Sequence, residues 1–227
     1  TASFLTGLVP PRVGHALAWV LGSIVHALMP QRRRVMASNY APVLGLPPSD
    51  PRVRRIGRLS YRNFFRYLFD FLALPHRSVE QIDAMVDLHI GDDFDAARAL
   101  GKGMIYVSAH FGNMDYAGIA AVRRIVPMTV VADMLKPKKL MDRLVEFRGK
   151  KGLRIVYLAK APRAILQALK KNEAVGFLLD VGCKRDGGIP VTFFGRRTMV
   201  PAGPALLALR TGAPIVVGYG LVVGNRI

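Results

Sequence analysis

The sequence predicts an α/β fold, in which a mixed, largely parallel sheet is flanked by helices and preceded by an N-terminal helical, membrane-associating element. From about residue 100 onward, short apolar runs alternate with helical segments at the spacing typical of a helix-covered parallel sheet. Before that point the chain is helical, apolar and rich in arginine. We therefore expect N-terminal helices over residues 1–75 and an α/β domain over residues 76–227, the latter truncated at its C-terminus.

The alternation is carried by short runs with the length and composition of buried strands. The predicted strands cover residues 104–108, 128–131, 154–157, 175–179, 191–193 and 215–219. The predicted helices of this region cover residues 92–100, 114–124, 138–150, 162–170 and 201–210.

The first apolar segment, residues 4–29, leaves two interpretations open. Its uninterrupted part, residues 13–29, is shorter than the roughly 20 residues that a membrane-spanning helix needs. It fits a helix lying in the membrane interface, where Trp19 suits the headgroup zone. It equally fits a helix that packs on the domain core.

Arginines dominate the next segment of the chain. The first eighty residues hold eleven arginines and no lysine, against three acids. Six of the arginines lie on a helix predicted over about residues 50–74. The N-terminal part of this helix has a basic face, and its C-terminal part has a broad apolar surface. Such a helix favours an anionic membrane surface, and a solvated charged face is the alternative.

The composition narrows the class of partner. The chain has a formal net charge of +18 and is 51% hydrophobic, with a mean hydropathy of +0.25. A basic and apolar chain favours anionic membrane lipids, and no zinc spacing, basic zipper or RNA-binding strand motif supports a nucleic-acid partner. The single cysteine, Cys183, excludes an internal disulfide. The remaining histidines lack partners at metal-ligand spacing, so no metal site is predicted.

A histidine and an aspartate five positions apart are the main candidates for chemistry. His110 and Asp115 flank a break at Gly112 and Asn113, between a predicted strand and a predicted helix. Open α/β sheets place their active sites at such turns. An imidazole can remove a proton from a hydroxyl near neutral pH, and a carboxylate on its other nitrogen fixes the tautomer. Because no Gly-x-Ser-x-Gly elbow is present, we expect the substrate hydroxyl to attack directly.

This stretch resembles the H-x-x-x-x-D motif of the glycerolipid acyltransferase superfamily. Its His-x-Gly-Asn-x-Asp form is similar to the branch that holds the lipid A late acyltransferases and the phosphatidylinositol mannoside acyltransferases. Further blocks match in the same order, at residues 135–137, 146–152, 177–180, 191–195, 201–205 and 211–214.

The resemblance implies an O-acyltransferase of lipid biosynthesis. It would move a fatty acyl chain from acyl-CoA or acyl-carrier protein, as co-substrate and without a further cofactor, to a hydroxyl of a glycolipid or other lipid acceptor. It also implies a peripheral or monotopic protein on the cytoplasmic face of a bacterial inner membrane.

The resemblance also extends the set of candidate site residues. Asp180 joins the catalytic candidates, with a role left open between assisting the base, binding the acceptor and capping structure. Gly112 and Asn113 are expected to bind substrate, and Gly112 lets the backbone approach the reacting carbonyl. Arg148 and Arg196 are expected to contact phosphate groups, for which a guanidinium is well suited.

Two other functions remain open from the sequence. One is a glycerophosphate or lysophospholipid acyltransferase, against which the Gly-Asn inside the motif argues. The other is a non-catalytic basic protein that binds membranes or nucleic acid, and this alternative predicts that His110→Ala leaves function intact.

Overall fold

The structure, a computed structural model, confirms the predicted α/β class. It describes residues 2–132, 138–157, 161–181, 183, 188–224 and 226–227, leaving out the side chains of residues 2–4 and 140. The chain forms two compact units. The first is Thr1–Arg77 with Thr192–Thr198, and the second is Ser78–Val191 with Met199–Ile227.

The first unit is helical. Its helices are α1 (Ala2–Leu8), α2 (Pro11–Leu28), α3 (Pro30–Leu44) and α4 (Pro51–Ala73), followed by a short 3₁₀ helix, Leu74–His76. Helices α2, α3 and α4 each begin with a proline, whose fixed φ suits the first helical turn. Helix α3, which the sequence analysis did not predict, ends at Gly45 in a left-handed conformation.

Helix α2 packs closely against α4. An ideal Cβ on Gly22 would lie 3.0 Å from the Cα of Arg62, so the glycine lets the two backbones approach. The pair is also joined by a buried contact, in which His15 Nε2 lies 2.7 Å from Asp70 Oδ1. This hydrogen bond offsets part of the cost of burying the two polar groups.

Among the described residues, no helix alone has the length and apolar character to cross a membrane. Helices α2 and α3 meet those criteria only as a pair, and the chain bends by 98° between them.

The second unit contains the parallel sheet. Its helices are α5 (Val79–Asp83), α6 (Asp92–Ala99), α7 (Met114–Arg124), α8 (Lys138–Gly149), α9 (Ala161–Lys170) and α10 (Gly203–Thr211). The strands of the five-stranded sheet are β1 (Met104–Ser108), β2 (Met128–Ala132), β3 (Arg154–Tyr157), β4 (Ala174–Leu178) and β7 (Ile215–Val217). They run parallel in the order β3-β2-β4-β1-β7.

Two further strands lie outside that sheet. Strand β5 (Gly188–Phe193) pairs with β6 (Arg196–Pro201) in a separate two-stranded sheet. The sequence analysis predicted only the end of β5 and missed β6. Arg196, Arg197 and Thr198 lack the apolar side chains that marked the buried strands.

Alternate residues of the central strands fill two cores. Ile105 and Val175 are buried with residues of α9 on one face of the sheet. Met104 and Ala174, their neighbours in the chain, are buried with Met128 on the other face. Burial on both faces explains why these strands are continuous apolar runs, as is usual for parallel sheets.

Candidate active site

The register of the sheet brings two distant segments to one edge. Ser108, the last residue of β1, is the register partner of Leu178, the last residue of β4. The N–H of Leu179 then donates to the carbonyl oxygen of Ser108 at 3.0 Å. His110 and Asp180 each follow two residues after these strand ends and therefore meet at the carboxyl edge of the sheet.

Asp180 holds the His110 side chain and its backbone together. Its Oδ1 lies 2.8 Å from His110 Nδ1, and its Oδ2 accepts the backbone N–H of His110 at 2.8 Å. A carboxylate can only accept, so Nδ1 carries a proton, and in the neutral imidazole Nε2 then keeps its lone pair. This tautomer is the one that a general base requires. Both side chains are partly exposed, which leaves the imidazole accessible to a substrate.

The structure corrects the expected arrangement of the two carboxylates. The sequence analysis placed Asp115 on the imidazole, but the carboxylate at Nδ1 is that of Asp180. Asp115 lies in the first turn of α7, is buried, and accepts a hydrogen bond from Arg148 Nε at 2.7 Å. Asp115 and Arg148 therefore join α7 to α8.

The turn between His110 and α7 depends on the residues that the sequence analysis assigned to substrate. Gly112 has a φ of +61°, and an ideal Cβ there would lie 1.7 Å from the carbonyl oxygen of Gly220. Asn113 is buried at the beginning of α7, where its side-chain oxygen accepts the N–H of Tyr116 at 3.1 Å. These contacts give both residues a structural role, and their substrate contacts stay a prediction.

Two exposed aromatic rings meet after β1 and β7, and one of them, Phe111, follows His110 in the chain. Phe111 and Tyr219 meet edge to face, with ring centroids 6.2 Å apart, and both are more than half exposed. Sequence reasoning did not single out Tyr219. The signal was its position after β7, because that strand is parallel to β1 and its carboxyl end lies at the same edge.

The remaining predicted contacts concern Arg196 and residues 135–137. Arg196 is exposed at the start of β6, within the segment Thr192–Thr198 that clusters with the helical unit. Residues 135–137, which belong to the resemblance, fall outside the described residues. Within the part of the chain that the structure describes, no group of three or more His, Cys, Asp or Glu side chains could hold a metal ion.

The amino-acid sequence matches a known family. The sequence profile of the bacterial lipid A biosynthesis acyltransferases matches residues 2–218. The chain belongs to this family. Two curated relatives are phosphatidylinositol mannoside acyltransferases. The one from Mycolicibacterium smegmatis is 35% identical over 183 residues, which cover 78% of the chain. One from Mycobacterium tuberculosis is 34% identical over 190 residues, covering 80% of the chain.

The matched regions make up 59% and 58% of those two relatives, so the chain spans less than two thirds of their length. The resemblance inferred from the His-x-Gly-Asn-x-Asp form is thereby confirmed at the level of the family, including the branch in which the relatives fall.

Proposed function

We propose that this chain catalyses transfer of a fatty acyl group from an acyl thioester to a hydroxyl of a glycolipid. The observation that supports it most directly is the contact of Asp180 with Nδ1 of His110, at 2.8 Å. It leaves Nε2 as the acceptor for the hydroxyl proton, and a thioester needs no further activation by a protein nucleophile.

The proposed reaction conserves every proton. Nε2 of His110 takes the proton of the acceptor hydroxyl as its oxygen attacks the thioester carbonyl carbon. The C–S bond then breaks, and the leaving sulfur takes the proton back from Nε2, giving an ester and a free thiol. Asp180 stabilises the imidazolium that exists between these steps. Backbone N–H groups at the beginning of α7 are the candidates for stabilising the oxyanion.

The names of the relatives support the choice of the first acceptor to test. The curated relatives are named for phosphatidylinositol mannoside, so a glycolipid of that class is the first acceptor to test. We propose acyl-CoA or acyl-carrier protein as the thioester donor. The exposed rings of Phe111 and Tyr219 would offer the acyl chain an apolar surface beside His110.

We further propose that the helical unit binds the cytoplasmic face of a bacterial inner membrane. One side of α2 exposes a continuous apolar row with helical spacing. The row consists of Val13, Leu17, Val20, Leu21, Ile24 and Leu28. Apolar rows of this kind bind at the membrane interface, and the arginines of α3 and α4 would add attraction to anionic lipids.

The test of the catalytic proposal is transfer by the full chain, measured as acylated glycolipid by mass spectrometry. His110→Ala should abolish it, while His89→Ala, which changes another exposed histidine of the same unit, should leave it at the wild-type rate. Turnover by His110→Ala close to wild type would refute the base assignment. Absence of transfer by the wild-type chain would favour a non-catalytic binding protein. Transfer to lysophospholipid but not to the glycolipid would refute the proposed acceptor.

A further inference from the structure

The hairpin of β5 and β6 ends in an exposed tip. Every residue from Thr192 to Thr198 is exposed, although this segment belongs to the same compact unit as the N-terminal helices. We call Thr192–Thr198 the hairpin tip. Two phenylalanines and two arginines stand next to each other in it, in the order Phe193-Phe194-Gly195-Arg196-Arg197. Because soluble proteins seldom leave neighbouring large apolar side chains in water, the tip is a candidate contact surface.

The two phenylalanine rings of the tip form one apolar surface. Their centroids lie 4.7 Å apart, with the rings edge to face. Phe193 is nevertheless 62% exposed and Phe194 52% exposed. The rings therefore pack on each other, and more than half of the surface of each residue stays accessible to a partner.

The turn between the strands holds an aromatic residue where the backbone does not favour one. Phe194 and Gly195 separate the end of β5 from the start of β6, and their φ angles are +47° and +71°. Two positive φ angles in a two-residue hairpin loop are typical of a type I′ turn, whose first position favours asparagine. A bulky side chain is strained in this conformation. Neither backbone preference nor burial explains Phe194, whereas contact with an apolar partner would.

The other half of the tip is basic. Arg196 and Arg197 are both exposed, and neither forms an ion pair within the part of the chain that the structure describes. Residues 187–227 contain no Asp or Glu. The charge of the tip is therefore complementary to an anionic surface, for which guanidiniums offer forked donors to phosphate oxygens.

We infer that the hairpin tip inserts into the interface of an anionic membrane. Phe193 and Phe194 enter the boundary of headgroups and acyl chains, and the two arginines contact the phosphates around them. A lipid surface fits both halves of the tip, because it presents apolar and anionic groups at adjacent depths. The inference rests on the proposed membrane association of the helical unit, and it gives that unit a second contact that does not involve α2.

Tryptophan fluorescence tests insertion directly, because Trp19 is the single tryptophan of the chain. In a Trp19→Phe background, Phe193→Trp places the reporter in the tip. Leu100→Trp places it at an exposed position just after α6, in the other unit. With phosphatidylglycerol vesicles, emission of the tip variant should shift to the blue and be quenched by lipids brominated on the acyl chain. The α6 variant should show neither response, and equal responses would overturn insertion by the tip.

An asparagine variant separates membrane contact from a structural role of the ring. Phe194→Asn introduces a residue that suits the turn, so thermal stability should stay the same or rise. Affinity for phosphatidylglycerol vesicles should fall roughly tenfold. Leu209→Asn removes a side chain that is 83% exposed on α10, and it should change affinity less than about twofold. A Phe194→Asn chain with lower stability and wild-type affinity would overturn the inference.

The arginines of the tip are tested by a matched pair of double variants. Arg196→Gln/Arg197→Gln should lose roughly 25-fold in affinity for phosphatidylglycerol vesicles, about fivefold per arginine. Arg98→Gln/Arg210→Gln removes the same charge from exposed positions on α6 and α10 and should lose several-fold less. Equal losses would overturn the contact of the tip arginines with lipid and leave general charge attraction.

Vesicle flotation of the wild-type chain separates this inference from the membrane association on which it rests. A chain that floats while its tip reporter does not respond would refute insertion alone. Failure of the wild-type chain to float would refute membrane association, and insertion with it. A tip reporter that is already blue-shifted without lipid, in a chain that sediments as a dimer, would assign the phenylalanines to a second copy and overturn the lipid contact.

Discussion

Asp180 bonds to His110 through both of its carboxylate oxygens, one to the ring Nδ1 and one to the backbone N–H, each at 2.8 Å. The backbone bond fixes the plane of the carboxylate, and the ring bond fixes the tautomer of the imidazole. The two bonds together make Asp180 the residue on which the basicity of Nε2 depends.

Asp180→Asn should therefore reduce kcat on the order of 10⁴-fold, because an amide can hold the ring in the wrong tautomer. The measurement is steady-state acyl transfer, with circular dichroism to confirm the fold. Asp142→Asn changes an exposed carboxylate on α8 and serves as the control. If Asp180→Asn retained more than a tenth of the wild-type kcat, the carboxylate would not act on the base.

The pair of Asp115 and Arg148 should matter mainly to stability. Asp115 is buried and Arg148 nearly so, with side chains 4% and 16% exposed. Arg148→Ala leaves Asp115 buried without the hydrogen bond from the guanidinium, so it should cost about 3–5 kcal/mol of unfolding free energy. Urea denaturation measures this cost.

The surface pair of Lys150 and Glu146 is the matched comparison, because it also involves α8 but is exposed. Lys150→Ala should cost less than about 1 kcal/mol. Equal costs for the two variants would mean that the Asp115–Arg148 pair is no more important than a surface contact.

The turn at Gly112 should accept no side chain. Gly112→Ala would place a Cβ against the carbonyl oxygen of Gly220. The alanine would also have to adopt the left-handed φ of this position, which alone costs roughly 1–2 kcal/mol. We expect lower thermal stability and a loss of transfer activity together. Gly149→Ala, at the end of α8 with open space around it, should leave both unchanged or raise stability slightly. A fully active Gly112→Ala would show that the turn can relax.

Glu80 should contribute an acid-sensitive part of the stability. Its own backbone N–H, the Arg123 guanidinium and Ser78 hold the pKa of this carboxyl at about 2, below the ordinary 4.5. The folded state therefore favours the carboxylate, and this stabilisation is complete above pH 4.5 and lost as the pH falls towards 2.

Glu80→Gln should accordingly flatten the dependence of unfolding free energy on pH within that window, measured by urea denaturation across it. Arg123→Gln should produce part of the same flattening, since it removes one of the three contacts. If unfolding free energy depended on pH in the same way in the wild type and in Glu80→Gln, the Glu80 carboxylate would make no acid-sensitive contribution to stability.

Periodicity and turn residues predicted most of the second unit. Strands 104–108 and 154–157 and the helix over 114–124 were predicted with the boundaries that the structure has, because their apolar runs end at glycine, charged residues or caps. Helix α3 was not predicted, since its arginine-rich sequence lacks an apolar stripe and contains Pro42. The order of strands in the sheet does not follow from local pattern, as β1 pairs with β4 and β7.

Because strand pairing does not follow from local pattern, only part of the candidate site could be predicted from the sequence. His110 and its turn are local in sequence and could be identified from spacing. The carboxylate that contacts Nδ1 of His110 could not be identified in this way. Proximity in the chain favoured Asp115, whereas the pairing of β1 with β4 places Asp180 at that nitrogen. Arg148 was selected for its chemistry, but its hydrogen bond to Asp115 depends on how α8 packs on α7.

The pairing of β1 with β4 has a consequence for the newly made chain. His110 and Asp180 are separated by 70 positions, and β2, α8, β3 and α9 must all be synthesised before the second of them leaves the ribosome. Closing so large a loop is a late and slow event in folding. An incomplete or misfolded copy therefore carries its histidine without the partner that sets the tautomer, and the proposed reaction with a thioester would begin only once the sheet is assembled.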